Sequence, residues 1–233
     1  MSTNIQMLEI AAGHLEPLLE EVVFVGGATV ELWVTDPLAP PLRATADVDV
    51  IVEISTRRDY YRFEKRVRKL GFENDHESRV ICRFHHPETE LVLDVMPTKA
   101  SILGFENRWQ AEAFAHSEEV ELPAGKAIRA IPPPFLLATK LEAFEGRGRL
   151  DFYESRDFED IVRLIDGRAE LPAEVAAAPK DVRDYITRQL EKLSLSDLFD
   201  NGLEGALAAG PEARERVDEV IWPRVRELIG VTA

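Results

Sequence analysis

The sequence predicts an α+β chain, with a mixed sheet in its first part and helices in its second. Three observations predict it. Short β-branched runs alternate with amphipathic stretches before residue 100, as where Val22-Val23-Phe24-Val25 follows Ile5 to Glu20. Pro132-Pro133-Pro134 then interrupts regular structure, because proline fixes φ and removes a backbone donor. Beyond it the apolar spacing is mostly helical. The expected division is 1–131 for the sheet-bearing domain and 132–233 for a helical domain packed on it.

The elements follow in order. Ile5, Leu8, Ala12, Leu15 and Leu19 recur at three- and four-residue spacings and predict a helix over Ile5 to Glu20. Val22 to Val25 is a buried strand that Gly26-Gly27 ends, and Ala28 to Val34 begins a second helix. Asp36 to Pro41, with three prolines, is a loop. Asp47 to Ile54 alternates as a strand. Ser55 or Thr56 caps a helix running to Leu70, and Gly71 stops it. Arg79 to Phe84 and Glu90 to Met96 read as two strands joined across His85-His86-Pro87-Glu88-Thr89. Helices are predicted over Phe135 to Phe144, Ser155 to Ile165, Lys180 to Leu193, Ser196 to Ala209 and Pro211 to Leu228.

Composition narrows the class. The 233 residues carry 28 Lys and Arg against 43 Asp and Glu, a formal charge of −15. That balance excludes indiscriminate nucleic-acid binding, which needs a basic footprint. Acids exceed bases in both halves, so no acidic tail explains the total. One segment opposes it: Arg57, Arg58, Arg62, Lys65, Arg66, Arg68 and Lys69 crowd into thirteen residues against Asp59 and Glu64. No apolar stretch approaches the ~20 residues of a membrane span, and Met1 to Ile10 lacks the features of a secretory signal. Cys82 is the single cysteine, which excludes an intrachain disulfide and a Cys-based zinc site. A cytoplasmic protein is expected.

Three carboxylates stand out. Asp47 and Asp49 sit two apart in a strand pattern, so both face one side with ~6.6 Å between Cα atoms. Asp94 is an acid inside the apolar run Leu91 to Met96, where a lone buried carboxylate is costly without a donor or a cation. If its strand neighbours that of Asp47 and Asp49, all three converge and suit Mg²⁺ or Mn²⁺, which prefer oxygen ligands. The competing expectation is a solvated edge strand for the pair and a turn for Asp94. Gly26-Gly27 lies between strand and helix, where the backbone can approach a phosphate.

Phe24-Val25-Gly26-Gly27-Ala28, followed by Arg43-Ala44-Thr45-Ala46-Asp47-Val48-Asp49-Val50, resembles the signature of the DNA polymerase β-type nucleotidyltransferase superfamily. The Arg-x-Thr-x-Asp-x-Asp form is similar to the AbiEii family, the MenT-like toxins of type IV toxin–antitoxin systems. Thr139-Lys140-Leu141-Glu142-Ala143 and Arg156-Asp157-Phe158-Glu159-Asp160 resemble the family's later blocks, in its order. The resemblance covers roughly the first two-thirds of the chain. It implies a polymerase β-like core that moves a nucleoside monophosphate from an NTP to an acceptor hydroxyl. Gly26, Gly27 and Thr45 would hold the nucleotide, and Asp47, Asp49 and Asp94 the metal. Asp94 would also help deprotonate the acceptor, Lys140 would meet the triphosphate, and Asp157 belongs to the last block. A tRNA 3′ end as acceptor and a separately encoded antitoxin as partner are implied too. Two departures stand out: nineteen residues separate Gly27 from Asp47, and Gly-Gly replaces the commoner Gly-Ser.

Plainer expectations accompany these. Lys140 reads as a surface lysine whose stem covers apolar neighbours, and Asp157 with Asp160 as a helix start. The basic run reads either as a solvated face or as a phosphate contact through Arg57, Arg58, Arg62, Lys65, Arg66 and Lys69. Gly146 to Arg149 is a flexible basic loop, His85-His86 are hairpin residues, and Cys82 is a core residue in a strand. Two rival functions remain in view. One is nucleotidylation of a small molecule or protein, which the acidic charge favours. The other is a catalytically inactive binding module, against which all three acids stand.

Overall fold

The computed structural model describes residues 3–104, 107–207 and 211–230. The chain forms two compact units, one of Met1–Leu32 with Arg43–Pro132, the other of Trp33–Leu42 with Pro133–Ala233. The architecture is α+β.

The first unit is built on a seven-stranded mixed sheet. It holds α1 (Thr3–His14), β1 (Val22–Val25), β2 (Val48–Val52), α3 (Arg57–Lys69), β3 (Glu73–Asn74), β4 (Arg83–His86) and β5 (Leu91–Pro97). After α4 (Ala100–Leu103) and α5 (Gln110–Ala115) come β6 (Glu118–Glu121) and β7 (Ala127–Ala130). The short helix α2 (Val30–Trp33) lies where the chain leaves the unit. The strand order is β3-β4-β5-β2-β1-β7-β6. β2 is antiparallel to β1 and parallel to β5, and a parallel neighbour requires a crossover, which α3 supplies.

The core explains the helices. α1 buries Leu8, Ala11 and Ala12. It stops at His14, short of the predicted Glu20; Pro17, which cannot donate to a helical ladder, lies in a 3₁₀ turn over Glu16–Glu21. Thr56 caps α3 by accepting from the Asp59 N–H at 3.2 Å, and Tyr60, Phe63 and Val67 turn inward. The Tyr60 hydroxyl donates to the Val95 carbonyl at 2.8 Å. β4 begins four residues later than expected, since 79–82 forms no strand, and the two histidines sit inside the strand. His86 is buried and stacks on His14 with ring centroids 3.8 Å apart. Gly71, at φ +94°, leaves room for that ring, because a Cβ would stand 2.7 Å from His86 Nε2.

The second unit is helical: α6 (Pro133–Glu145), α7 (Arg156–Gly167), α8 (Leu171–Ala177), α9 (Lys180–Ser194), α10 (Phe199–Ala206), α11 (Pro211–Arg216) and α12 (Trp222–Leu228). Pro133 and Pro134 do not break structure but begin α6, in the first turn where a missing N–H costs nothing. The predicted end of the fourth helix, Ala209, lies outside the described residues. The last predicted helix forms over Pro211–Leu228 with a π turn, Val217–Ile221, inside it, just before Pro223, which cannot donate to the helical ladder. Phe144, Phe152, Phe158, Phe199 and Trp222 form a chain of ring contacts with centroids 5.0–6.1 Å apart. No helix among the described residues is long and apolar enough to cross a membrane.

Candidate active site

Strand pairing brings the acids of the first unit together. The β2–β5 register sets Asp49 beside Asp94, and residues paired this way present side chains on one face. Asp47 directly precedes β2, two positions before Asp49. The β4–β5 register sets Arg83 beside Asp94. Arg83 donates from Nε and Nη2 to the two Asp94 oxygens at 2.8 Å each, and the same Nη2 donates to Asp47 Oδ2. Asp94 is only 6% exposed, and this charge-assisted fork is the donor that its burial requires. The Asp94 hydrogen bond holds the guanidinium well above its ordinary pKa against the cost of burial, and the charges of Asp94 and Asp47 add to it. Cys82 is a core residue, but in a turn rather than a strand. Burial, followed by the charges of Asp94 and Asp49, pushes its thiol up to about 12, so it stays protonated at neutral pH.

Gly26 ends β1 with φ +79°, a conformation that L side chains rarely adopt. A Cβ there would lie 1.9 Å from Asp49 Oδ2, so glycine is what lets the carboxylate sit against the backbone. The Thr29 hydroxyl donates to the Gly26 carbonyl at 2.9 Å. Beyond it come one 3₁₀ turn, Gly27–Thr29, and the four residues of α2, so the helix expected over Ala28 to Val34 forms with a 3₁₀ first turn. Backbone conformation and the approach of Asp49 therefore account for Gly26. A long helix dipole does not.

Asn4 carries no signal in the sequence, yet it braces the loop that delivers Asp47. Buried in α1, it donates from Nδ2 to the Arg43 carbonyl at 3.0 Å and accepts from the Thr45 N–H at 2.9 Å. The Thr45 hydroxyl donates to the Asp47 carbonyl at 3.1 Å. Arg83 and Asn4 act across 11 and 41 residues of sequence, so only the pairing of elements reveals them.

The later blocks build a separate cluster within the second unit. Lys140 is 6% exposed, a buried ammonium and not a surface lysine, with Asp157 Oδ1 at 3.2 Å and Asp160 Oδ2 at 2.5 Å. Arg147, in the basic loop, donates twice to Asp157 at 2.8 Å. The helix cap is Ser155, which accepts from the Phe158 N–H at 3.3 Å, so Asp157 turns toward the cations. Burial works against ionisation of Asp157, but Arg147 and Lys140 outweigh it and hold the carboxyl below its ordinary value.

The basic helix α3 presents Arg57, Arg58, Arg62, Lys65, Arg66, Arg68 and Lys69 outward. Several are engaged. Arg57 donates to the Ile102 carbonyl at 3.0 Å, Arg62 pairs with Asp59 at 3.0 Å, and Arg66 forks onto Glu21 at 2.5 and 2.6 Å.

No protein-family model matches this chain, and no curated protein matches it.

The fit to a divalent cation is therefore judged on the donors themselves. Three carboxylates on one sheet face supply the hard oxygen ligands that Mg²⁺ or Mn²⁺ takes. Among the described residues, no three His, Cys, Asp or Glu side chains close on a single point. Asp47 and Asp94 close on Arg83 instead. The donor chemistry fits, with the guanidinium standing between two of the donors.

Proposed function

We propose that the protein is a divalent-metal-dependent nucleotidyltransferase that moves a nucleoside monophosphate from an NTP to an acceptor hydroxyl and releases pyrophosphate. The observation that carries this reading is the common face shared by Asp94 and the Asp47-x-Asp49 pair, with Gly26 against Asp49. Asp47, Asp49 and Asp94 would hold the metal, which supplies activation of the attacking oxygen and stabilisation of the leaving group. Asp94 would take the acceptor proton. Gly26 and Gly27 would let the nucleotide approach the backbone, and the brace through Asn4 and Thr45 keeps Asp47 in place. Lys140 belongs to the triphosphate in the family pattern; to reach one, its ammonium must exchange Asp157 and Asp160 for phosphate oxygens.

The acceptor class follows from charge. The outward basic face of α3 supports a nucleic acid, with the tRNA 3′ end as the acceptor that the resemblance implies, in a toxin-like protein answered by an antitoxin. The net charge of −15, and the acids that engage Arg62 and Arg66, favour a small-molecule acceptor as the second reading.

One experiment tests the activity. Each radiolabelled NTP is incubated with the protein, total tRNA and Mg²⁺, beside Asp49→Ala. Label should enter tRNA with the native chain, and the variant should lose at least ~100-fold of the rate, as removal of one transition-state stabiliser does. Full transfer by Asp49→Ala would end the proposed chemistry. Label in a small acceptor but never in tRNA would select the second reading.

A further inference from the structure

Arg83 has a place in the acid cluster that the resemblance does not assign. Its planar fork takes both oxygens of Asp94, and one of the same nitrogens takes an oxygen of Asp47. Two of the three carboxylates are thus joined through one nitrogen, in the manner of a bridging cation. The arrangement is partly withdrawn from solvent, with side-chain exposures of 8% for Asp94, 23% for Arg83 and 30% for Asp47. A guanidinium cannot lose its proton in a protein, so its charge does not vanish to make room for another. A divalent ion on those oxygens would stand a few ångströms from the guanidinium, where two positive charges repel, so the ion and Arg83 compete for them. Arg83 reaches them on a flexible stem from β4, the strand next to the two-residue edge strand β3.

We propose that Arg83 is a built-in counter-cation: it holds Asp47 and Asp94 in position without metal, and a divalent ion must displace it to bind. The proposal rests on the nucleotidyltransferase reading, because it takes these acids as the metal ligands. Its consequence is a threshold. When the binding-competent form is only a fraction of the population, apparent affinity falls by that fraction. A guanidinium withdrawn about a tenth of the time weakens metal binding about tenfold. Once displaced, the same group becomes a cation beside the metal ligands, suited to a phosphate oxygen arriving with the metal.

The test is a titration of the whole chain with Mn²⁺ followed by electron paramagnetic resonance, beside Arg83→Gln and Arg83→Lys. Arg83→Gln should bind one Mn²⁺ about tenfold more tightly than the native chain, and the gained site should vanish when Asp47→Asn is added. Arg83→Lys, which keeps the charge without the fork, should fall between them. Equal Mn²⁺ affinity in native and Arg83→Gln proteins overturns the role of Arg83 and leaves the metal reading standing. Absence of a tight Mn²⁺ site from every form removes both. If Arg83→Gln does not fold, the native chain decides by itself. Phenylglyoxal modification of Arg83, mapped by mass spectrometry, should accelerate severalfold when Mn²⁺ saturates the site, and an unchanged rate refutes the displacement.

Discussion

Asp157 has a pH signature with a definite sign. Its folded pKa lies below the ordinary value of 3.8, because Arg147 and Lys140 outweigh the burial that opposes them. The stability from this ionised carboxylate is therefore complete above pH 3.8 and is lost as pH falls through the lower folded value. Asp157→Asn should be less stable than the native chain at neutral pH, and the gap should narrow on acidification. Urea midpoints at pH 7 and at several values below pH 3.8 measure it; a gap that stays constant below pH 3.8 would contradict the assignment. Legibility at this scale follows distance along the chain. Asp47, Asp49 and Asp94 could be read because a two-residue period and an acid in an apolar strand are local signals. Arg83 and Asn4 could not, since a partly exposed arginine and a helical asparagine gain their roles only from the register of other elements.

Helix α3 shows how an element distributes its charges. Its cap and stop were legible from Thr56 and Gly71. Its outward face was not, because the tie from Arg66 to Glu21 spans 45 residues. The acceptor test belongs with the cations that these acids leave to solvent. If tRNA docks on α3, reversing Arg58, Lys65 and Lys69 to Glu should weaken binding and lower the salt slope by about one for each phosphate no longer neutralised. Binding isotherms at several salt concentrations read this out, and an unchanged slope would make α3 a solvated face. The elements missed by sequence, β3, α4, α5, β6, β7 and α8, are two to seven residues long, too short for periodicity to declare itself.

At the scale of the molecule, the sequence marked the point near residue 132 where sheet gives way to helices, but not the excursion of Trp33–Leu42 into the helical unit. No local pattern announces that segment, which read only as a proline-rich loop. Polar ties hold it beside the buried Trp33: the Thr35 and Asp36 N–H groups donate to the Gly167 carbonyl at 2.9 and 3.0 Å, and Arg216 donates to Asp36 at 2.6 Å. Asp36→Ala should lower the stability of the helical unit by about 1.5–3 kcal/mol, as expected for a hydrogen bond between charged groups. Denaturant unfolding followed by Trp222 fluorescence measures it, and a loss below ~0.5 kcal/mol would show the tie to be idle. The excursion also bears on biosynthesis. Residues 33–42 leave the ribosome about 90 residues before α6 and more than 170 before Arg216, roughly ten seconds or more earlier at ordinary elongation rates. During that interval the sheet can form around a ten-residue loop that has nothing to hold, and the helical unit can finish only by capturing a segment made long before it.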